Sequence, residues 1–177
     1  MKQISIFVDT SIINRLCDID IEKTTALYEE DRKFLSEISK RPNVRFLVNP
    51  SIKQEIENTQ DQRRREELLN AFSKYPFISF NKSIWGKTKY GKEKSFTFPA
   101  HFLSPEEEEF CEELERKFPC LEDDMKIIAD GIFNRDIDIL LSTDPHIYID
   151  LAKFVLDKNI RVKIFNPKGC FDYLQSL

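Results

Sequence analysis

The chain has 177 residues, of which 41% are hydrophobic and 33% are charged, and this is the size and composition of one folded domain rather than a disordered chain. No apolar run approaches the roughly 20 residues that cross a bilayer, and the first run is too short for a signal peptide, so we expect a cytoplasmic protein with its start intact and no membrane partner. The net charge is −4, but residues 104–124 carry ten acids against two bases, which leaves the remainder at +4 and does not exclude nucleic acid.

Apolar runs separated by helix-length segments follow one another along the chain. Strands are predicted at 4–8, 44–48, 137–141 and, more briefly, 162–165, with a further candidate at 77–80. Helices are predicted at 24–40, 50–58, 61–72, 105–118, 122–134 and 146–158. Strands that alternate with helices indicate an α/β protein with a parallel sheet covered on both faces. We see no repeat or linker, and we therefore expect residues 1–177 to form a single domain.

The stretch at about 81–102 breaks this alternation. It interleaves lysines with aromatic residues and has poor periodicity, with Gly86 and Gly91 as interruptions. We interpret it as a loop or hairpin inserted between core elements. After it, Ser104-Pro105 with Glu107 forms the pattern of a capped helix start, which accounts for the acidic run behind it without any functional role.

Acidic residues follow three of the predicted strands. Asp9 comes directly after the first strand, Asp144 follows the strand at 137–141, and Glu55 lies one turn into the helix after the strand at 44–48. The carboxyl ends of parallel strands meet at one edge of a sheet, where such folds bind ligands. Each acid taken alone could be a turn or capping residue. Three at equivalent places indicate a site.

A fourth acid comes from the helix predicted at 122–134. Its apolar stripe runs through Leu121, Ile128 and Ile132. At about 100° per residue, Asp123 points away from this stripe, while Glu122 and Asp124 lie on its two flanks. Helix geometry therefore leaves Glu122 and Asp124 as candidates.

Clustered carboxylates require a counter-charge. Two of them about 4 Å apart repel by roughly 4 kcal/mol at an effective dielectric constant of 20. A cation removes this cost, and oxygen ligands suit Mg²⁺ or Mn²⁺. We therefore expect one or two such ions at the site.

Four segments carrying these acids resemble the motifs of PIN-domain nucleases, a family that includes the toxin ribonucleases of bacterial toxin–antitoxin pairs. They are Phe7-Val-Asp9-Thr-Ser-Ile-Ile-Asn-Arg-Leu16, Ser51-Ile-Lys-Gln-Glu55-Ile56, Asp124-Met-Lys-Ile-Ile-Ala129 and Leu140-Leu-Ser142-Thr-Asp144. The segments occur in the family's order, and the first and last are the specific ones. Aligning Ala129 with the small residue of the third motif selects Asp124 over Glu122.

The resemblance implies a PIN-like three-layer α/β/α sandwich with a central parallel sheet. It implies that Asp9, Glu55, Asp124 and Asp144 are both catalytic residues and metal ligands, supported by the hydroxyls of Thr10, Ser11 and Ser142. The expected reaction is endonucleolytic hydrolysis of single-stranded RNA by metal-activated water, which leaves 5′-phosphate and 3′-hydroxyl ends. An antitoxin or other protein partner is implied for toxin members, and a homodimer stays open.

Substrate binding is expected from the insert. Lysines on the phosphates and an aromatic ring under a base are how single strands are held. The candidates are Lys82, Trp85, Lys87, Lys89 and Lys92. The alternative is that the insert's phenylalanines simply close the core beneath a solvated loop.

Two other functions compete with nuclease activity. A Mg²⁺-dependent phosphatase of the haloacid-dehalogenase kind also begins with a strand-end Asp, but it needs a second Asp two positions later, where this chain has Ser11. The other is a non-catalytic PIN-fold module that binds RNA or a protein.

Overall fold

The computed structural model describes residues 2–17, 26–48, 50–74, 77–79, 84–85, 101–102, 104–121 and 124–177. Within these ranges the strands are β1 (Ile4–Val8), β2 (Val44–Val48), β3 (Phe77–Ser79), β4 (Ile84–Trp85), β5 (His101–Phe102), β6 (Ile139–Leu141) and β7 (Lys163–Phe165). The helices are α1 (Thr10–Leu16), α2 (Ala26–Ser39), α3 (Pro50–Glu57), α4 (Gln62–Lys74), α5 (Pro105–Lys117), α6 (Met125–Phe133), α7 (Ala152–Asp157) and α8 (Pro167–Gln175). A π-helical stretch, His146–Leu151, leads directly into α7.

The main sheet has five parallel strands in the order β3-β2-β1-β6-β7. Ile6 of β1 lies opposite Phe46 of β2 on one side and Ile139 of β6 on the other. β1 is the central strand, and its residues Ile6, Phe7 and Val8 have no solvent-exposed surface. The alternation of strands and helices along the chain thus produces the predicted parallel α/β sheet.

The helices form two layers. In one layer α1 contacts α2 and α4, α3 contacts α4, and α8 contacts α2. In the other layer the Phe110 ring of α5 packs against Phe133 of α6 and Phe154 of α7, with ring centroids 5.3 Å and 5.2 Å apart. Connections between parallel strands are right-handed, so the direction in which the chain crosses the sheet decides which face the connecting helix covers. The chain runs from β1 towards β3 in one direction and from β6 to β7 in the other, which divides the helices between the two faces. The architecture is the expected three-layer α/β/α sandwich.

Helix α6 packs closely on the centre of the sheet. A Cβ placed on Gly131 would lie 3.2 Å from side-chain carbons of both Phe7 and Leu140. Glycine at this position therefore allows α6 to approach β1 and β6 more closely than a larger residue would.

Several element boundaries differ from the sequence-based expectation. α6 begins at Met125 rather than at residue 122, because residues 119–121 form a separate 3₁₀ turn. The strand predicted at 137–141 begins at Ile139. The sequence reading did not include α1 or α8, which have only 7 and 9 residues.

The two described strands of the insert do not form a hairpin with each other. β4 and β5 are parallel, with Ile84 opposite His101, whereas a hairpin would require antiparallel strands. β4 contacts α6. The intervening residues 86–100 lie outside the described ranges.

The capped start of α5 is confirmed. The Ser104 hydroxyl accepts the Glu107 backbone N–H, and the Glu107 carboxylate accepts the Ser104 backbone N–H. Across the described parts of the chain, no helix combines the length and apolar character needed to span a bilayer.

Candidate active site

The candidate site lies at the carboxyl ends of β1 and β6, where the strand order of the sheet reverses. β1 and β6 are neighbours, but the chain leaves them towards opposite edges of the sheet. Open α/β sheets bind ligands in the crevice at the carboxyl ends of such a strand pair. Asp9 follows β1 there, and Ser142 to Asp144 follow β6.

Asp9 is buried and accepts hydrogen bonds on both carboxylate oxygens. It is the N-cap of α1, where one oxygen accepts the backbone N–H of Ser11. The other oxygen accepts the hydroxyl of Ser142. The residue is only 6% exposed. A single carboxylate thus joins the start of α1 to the loop that follows β6.

Burial raises the pKa of the Asp9 carboxyl above its ordinary value. The hydrogen bonds from Ser142 and Ser11 lower this pKa, and the negative charge of Asp144 raises it further. Burial is thus the largest cause of the raised pKa, and the charge of Asp144 is the smallest.

A chain of hydroxyl contacts holds the loop after β6 against α1. The Ser11 hydroxyl accepts the Thr143 backbone N–H at 2.9 Å and lies 3.4 Å from the Ser142 hydroxyl oxygen. The Ser142 hydroxyl oxygen also accepts the Asp144 backbone N–H at 3.0 Å. Asp144 in turn accepts the His146 backbone N–H at 2.8 Å. These contacts give Ser11 and Ser142 a supporting position beside both acids.

Glu55 reaches this region through Thr10. Ile52 and Ile56 of α3 are buried and anchor the helix, while Glu55 is exposed on its edge. Its carboxylate accepts the Thr10 hydroxyl at 2.7 Å. Because Thr10 follows Asp9 directly, this bond brings a third predicted acid next to the site.

Asp124 is half-buried at the N-cap position of α6. Its backbone carbonyl accepts the Ile128 N–H at 2.9 Å. Since α6 packs on the sheet through Gly131, Asp124 is placed by the helix that covers β1 and β6. Glu122 and Asp123 lie outside the described residues, so the choice among these three acids stays a prediction.

The donors available at this site are carboxylates and hydroxyls, which suit Mg²⁺ or Mn²⁺. A bound cation would stabilise the buried Asp9 carboxylate, whose pKa burial raises. Within the described ranges, no three acidic, histidine or cysteine side chains are grouped closely enough to coordinate one ion. The chemistry of the donors fits the ion, and Glu55 is the exposed member of the four predicted acids that the structure describes.

An arginine that the sequence reading did not single out is linked to the site. The Arg64 guanidinium of α4 donates to the Asn14 side-chain oxygen at 2.6 Å. The Asn14 amide donates to the Thr10 carbonyl at 3.2 Å. Arg64 stands in the run Arg63-Arg64-Arg65, a local cluster of positive charge that could have drawn attention to it.

The structure also buries an acid that was not predicted. Asp130 of α6 has no exposed surface. The signal was an acid between Ala129 and Gly131 in a helix whose other charged residue is Lys126.

The predicted substrate-binding residues are mostly outside the described part of the chain. This applies to Lys82, Lys87, Lys89 and Lys92. Trp85 belongs to β4, whose contact with α6 brings the start of the insert to the helix that carries Asp124 at its N-terminus. Their role in binding stays a prediction.

No protein-family model and no curated protein matches this chain. The fold is that of a parallel α/β protein in which Asp9 and Asp144 follow neighbouring strands.

Proposed function

We propose that this protein is a metal-dependent endoribonuclease of the PIN-domain kind. The observation that carries the proposal is the buried Asp9 carboxylate beside Asp144 at the carboxyl ends of β1 and β6. A buried carboxylate is costly for stability unless its charge is compensated, and a cation bound beside Asp9 would supply that compensation.

In this proposal Asp9, Glu55, Asp124 and Asp144 hold one or two Mg²⁺ or Mn²⁺ ions. When bound, the metal would make water a stronger nucleophile at neutral pH and offset charge on the phosphate. The hydrogen bonds from Ser142 and Ser11 fix the Asp9 carboxylate, and Thr10 orients Glu55.

Two features favour a nucleic-acid substrate. Phosphates would approach an acidic crevice, so a neighbouring basic surface is needed to offset the repulsion. Arg64 of α4 supplies positive charge beside α1, because its guanidinium donates to the Asn14 side chain. The lysine-rich insert, whose β4 strand contacts α6, is the second candidate surface.

Single-stranded RNA is the substrate that we propose, with hydrolysis leaving 5′-phosphate and 3′-hydroxyl ends. The resemblance of the four motifs to PIN domains, a family that includes toxin ribonucleases, also suggests a cytoplasmic protein whose partner is an antitoxin or another protein. A small DNA-binding protein encoded in the adjacent reading frame would support that assignment.

The central experiment measures cleavage of a labelled single-stranded RNA with Mn²⁺, with Mg²⁺ and with EDTA. We expect cleavage with either metal and none with EDTA. Asp144→Asn should reduce the rate at least 100-fold, which corresponds to about 2.7 kcal/mol. The matched control is Asp157→Asn, the same charge change at an exposed position at the end of α7.

Other outcomes would point to other functions. Binding of RNA without cleavage under every metal condition would indicate a non-catalytic module. A phosphate covalently attached to Asp9 would indicate a phosphatase. Against the latter, Ser11 stands where the phosphatase needs a second acid, and its N–H and hydroxyl contact Asp9 and Thr143 respectively.

A further inference from the structure

A cavity lies at the amino ends of the strands, opposite the carboxyl edge of the sheet that carries Asp9. Its volume is about 580 Å³, and it is lined by residues at the amino ends of β1, β6 and β7 and at the carboxyl end of α8. Small-molecule sites typically have volumes of about 300–1,000 Å³. The cavity is therefore large enough for a metabolite, whereas a simple inorganic anion would fill only part of it.

The side chains that line this cavity carry an excess of positive charge. Lys2, Arg41, Arg161 and Lys163 contribute to the lining, and among the described lining residues only Asp138 has an acidic side chain. One Asp138 oxygen contacts both the Lys2 ammonium at 3.2 Å and the Arg161 guanidinium at 3.4 Å. A single carboxylate cannot neutralise two cations, so like charges are held together here without full compensation.

The other two cations face uncharged partners. The Arg41 guanidinium donates to the Leu174 carbonyl at 2.7 Å, and the Lys163 ammonium lies 5.2 Å from the centre of the Tyr173 ring. Arg161 is further held by the backbone carbonyls of Arg135, at 2.7 Å, and Ile137. Both arginines are therefore fixed before any ligand arrives, which lowers the entropy cost of binding an anion.

The rest of the lining is largely apolar. Ile4, Ile139 and Leu174 line the cavity together with Tyr173. The Tyr173 ring is held by Phe165, with ring centroids 5.2 Å apart. A ligand that matches both the cations and the apolar wall has a phosphate and a flat ring system.

We propose that this cavity binds a nucleoside monophosphate, with its phosphate on the cations and its base against the apolar wall beside Tyr173. The site is separate from the acidic crevice, because β1 has Ile4 at the cavity and Val8 next to Asp9. At about 3.3 Å per residue these ends are on the order of 13 Å apart. The proposal does not depend on nuclease activity.

The test is a calorimetric titration of the full chain with AMP, adenosine and inorganic phosphate. EDTA is present throughout, so that no phosphate is held by a metal in the acidic crevice. We expect AMP to bind at least tenfold more tightly than either fragment, and we expect its affinity to fall as salt screens the cations. Failure of AMP to bind would overturn the proposal, as would equal affinity for AMP and either fragment.

Two substitutions locate the site. Lys2→Gln and Lys163→Gln should each weaken AMP binding several-fold without changing the melting temperature, because both side chains are exposed. The control is Lys153→Gln, an exposed lysine of α7 that does not line the cavity. If the control and the two cavity variants bind AMP like the wild type, the nucleotide lies elsewhere and the proposal is wrong.

Discussion

Replacing Asp9 by Asn should abolish RNA cleavage and at the same time raise the stability of the fold. Asn has nearly the same shape, and it can still accept the Ser11 N–H with its carbonyl oxygen. Its amide can donate to the Ser142 hydroxyl, whose proton can turn towards the Ser11 oxygen 3.4 Å away. The substitution therefore removes a buried charge while it preserves the hydrogen-bond partners.

The size of the effect follows from opposing terms. Two charge-assisted hydrogen bonds become neutral ones, a loss of about 1 kcal/mol each. Burying an ion costs several kcal/mol, and that cost disappears together with the repulsion from Asp144. We expect a net gain of about 1–2 kcal/mol, and for a domain of this size about 2–4 °C in Tm accompanies each kcal/mol.

The gain should depend on pH. The folded state raises the pKa of Asp9, so the native protein holds this proton more tightly than the unfolded chain does. Stability of the wild type therefore falls as pH rises from the ordinary value of 3.8 through the raised pKa. The Tm difference between Asp9→Asn and wild type should be largest near pH 8 and should disappear below pH 3.8.

Ser142→Ala provides the matched test of the same reasoning. It leaves the buried Asp9 charge in place and removes one of its donors, which should cost about 1–3 kcal/mol. Thermal melts in metal-free buffer and RNA cleavage with saturating Mn²⁺ measure both variants. A lower Tm for Asp9→Asn at pH 8 would refute the argument from burial, and wild-type cleavage would remove Asp9 from the reaction.

Three further predictions concern the remaining parts of the site. Thr10→Val keeps the side-chain shape but removes the hydrogen bond to Glu55, so cleavage should fall about tenfold. The change in Tm should be small, since an exposed hydrogen bond contributes only about 0.5–1.5 kcal/mol. Unchanged cleavage would show that this hydrogen bond does not orient a group that takes part in the reaction. Asp124→Ala should abolish cleavage, whereas Asp123→Ala should change neither cleavage nor stability by more than about half a kcal/mol. Equal losses in the two variants would mean that Asp124 is not the specific acid of the site. Replacing Lys87, Lys89 and Lys92 together with glutamine should weaken RNA binding. The slope of the logarithm of the binding constant against the logarithm of the salt concentration should fall by about 0.7 for each lost phosphate contact. An unchanged slope would assign the insert to another role.

Much of the fold could be predicted because its signals are local. The strands β1 and β2 occupy the predicted residues, since continuous apolar runs mark strands that are buried on both faces. The capping box of Ser104 and Glu107 is formed as expected, because both residues lie within one helical turn. The short α1 was not predicted, since seven residues hold too little periodicity to distinguish a helix from a turn.

The site depends on contacts between residues that are far apart in the sequence. Sequence alone determined that Asp9 and Asp144 follow strands, and the parallel-sheet rule placed both at the carboxyl edge. Only the strand order put β6 on one side of β1, where the Ser142 hydroxyl reaches Asp9, and β2 on the other side, where the Thr10 hydroxyl reaches Glu55 of the following helix. Likewise, the pairing of β1 with β6 lets Asp138, which precedes β6, form an ion pair with Lys2, which precedes β1. Local patterns determine which residues form each element, but the pairing of elements is decided by long-range packing, which places the two acids in one crevice and the cations around one cavity.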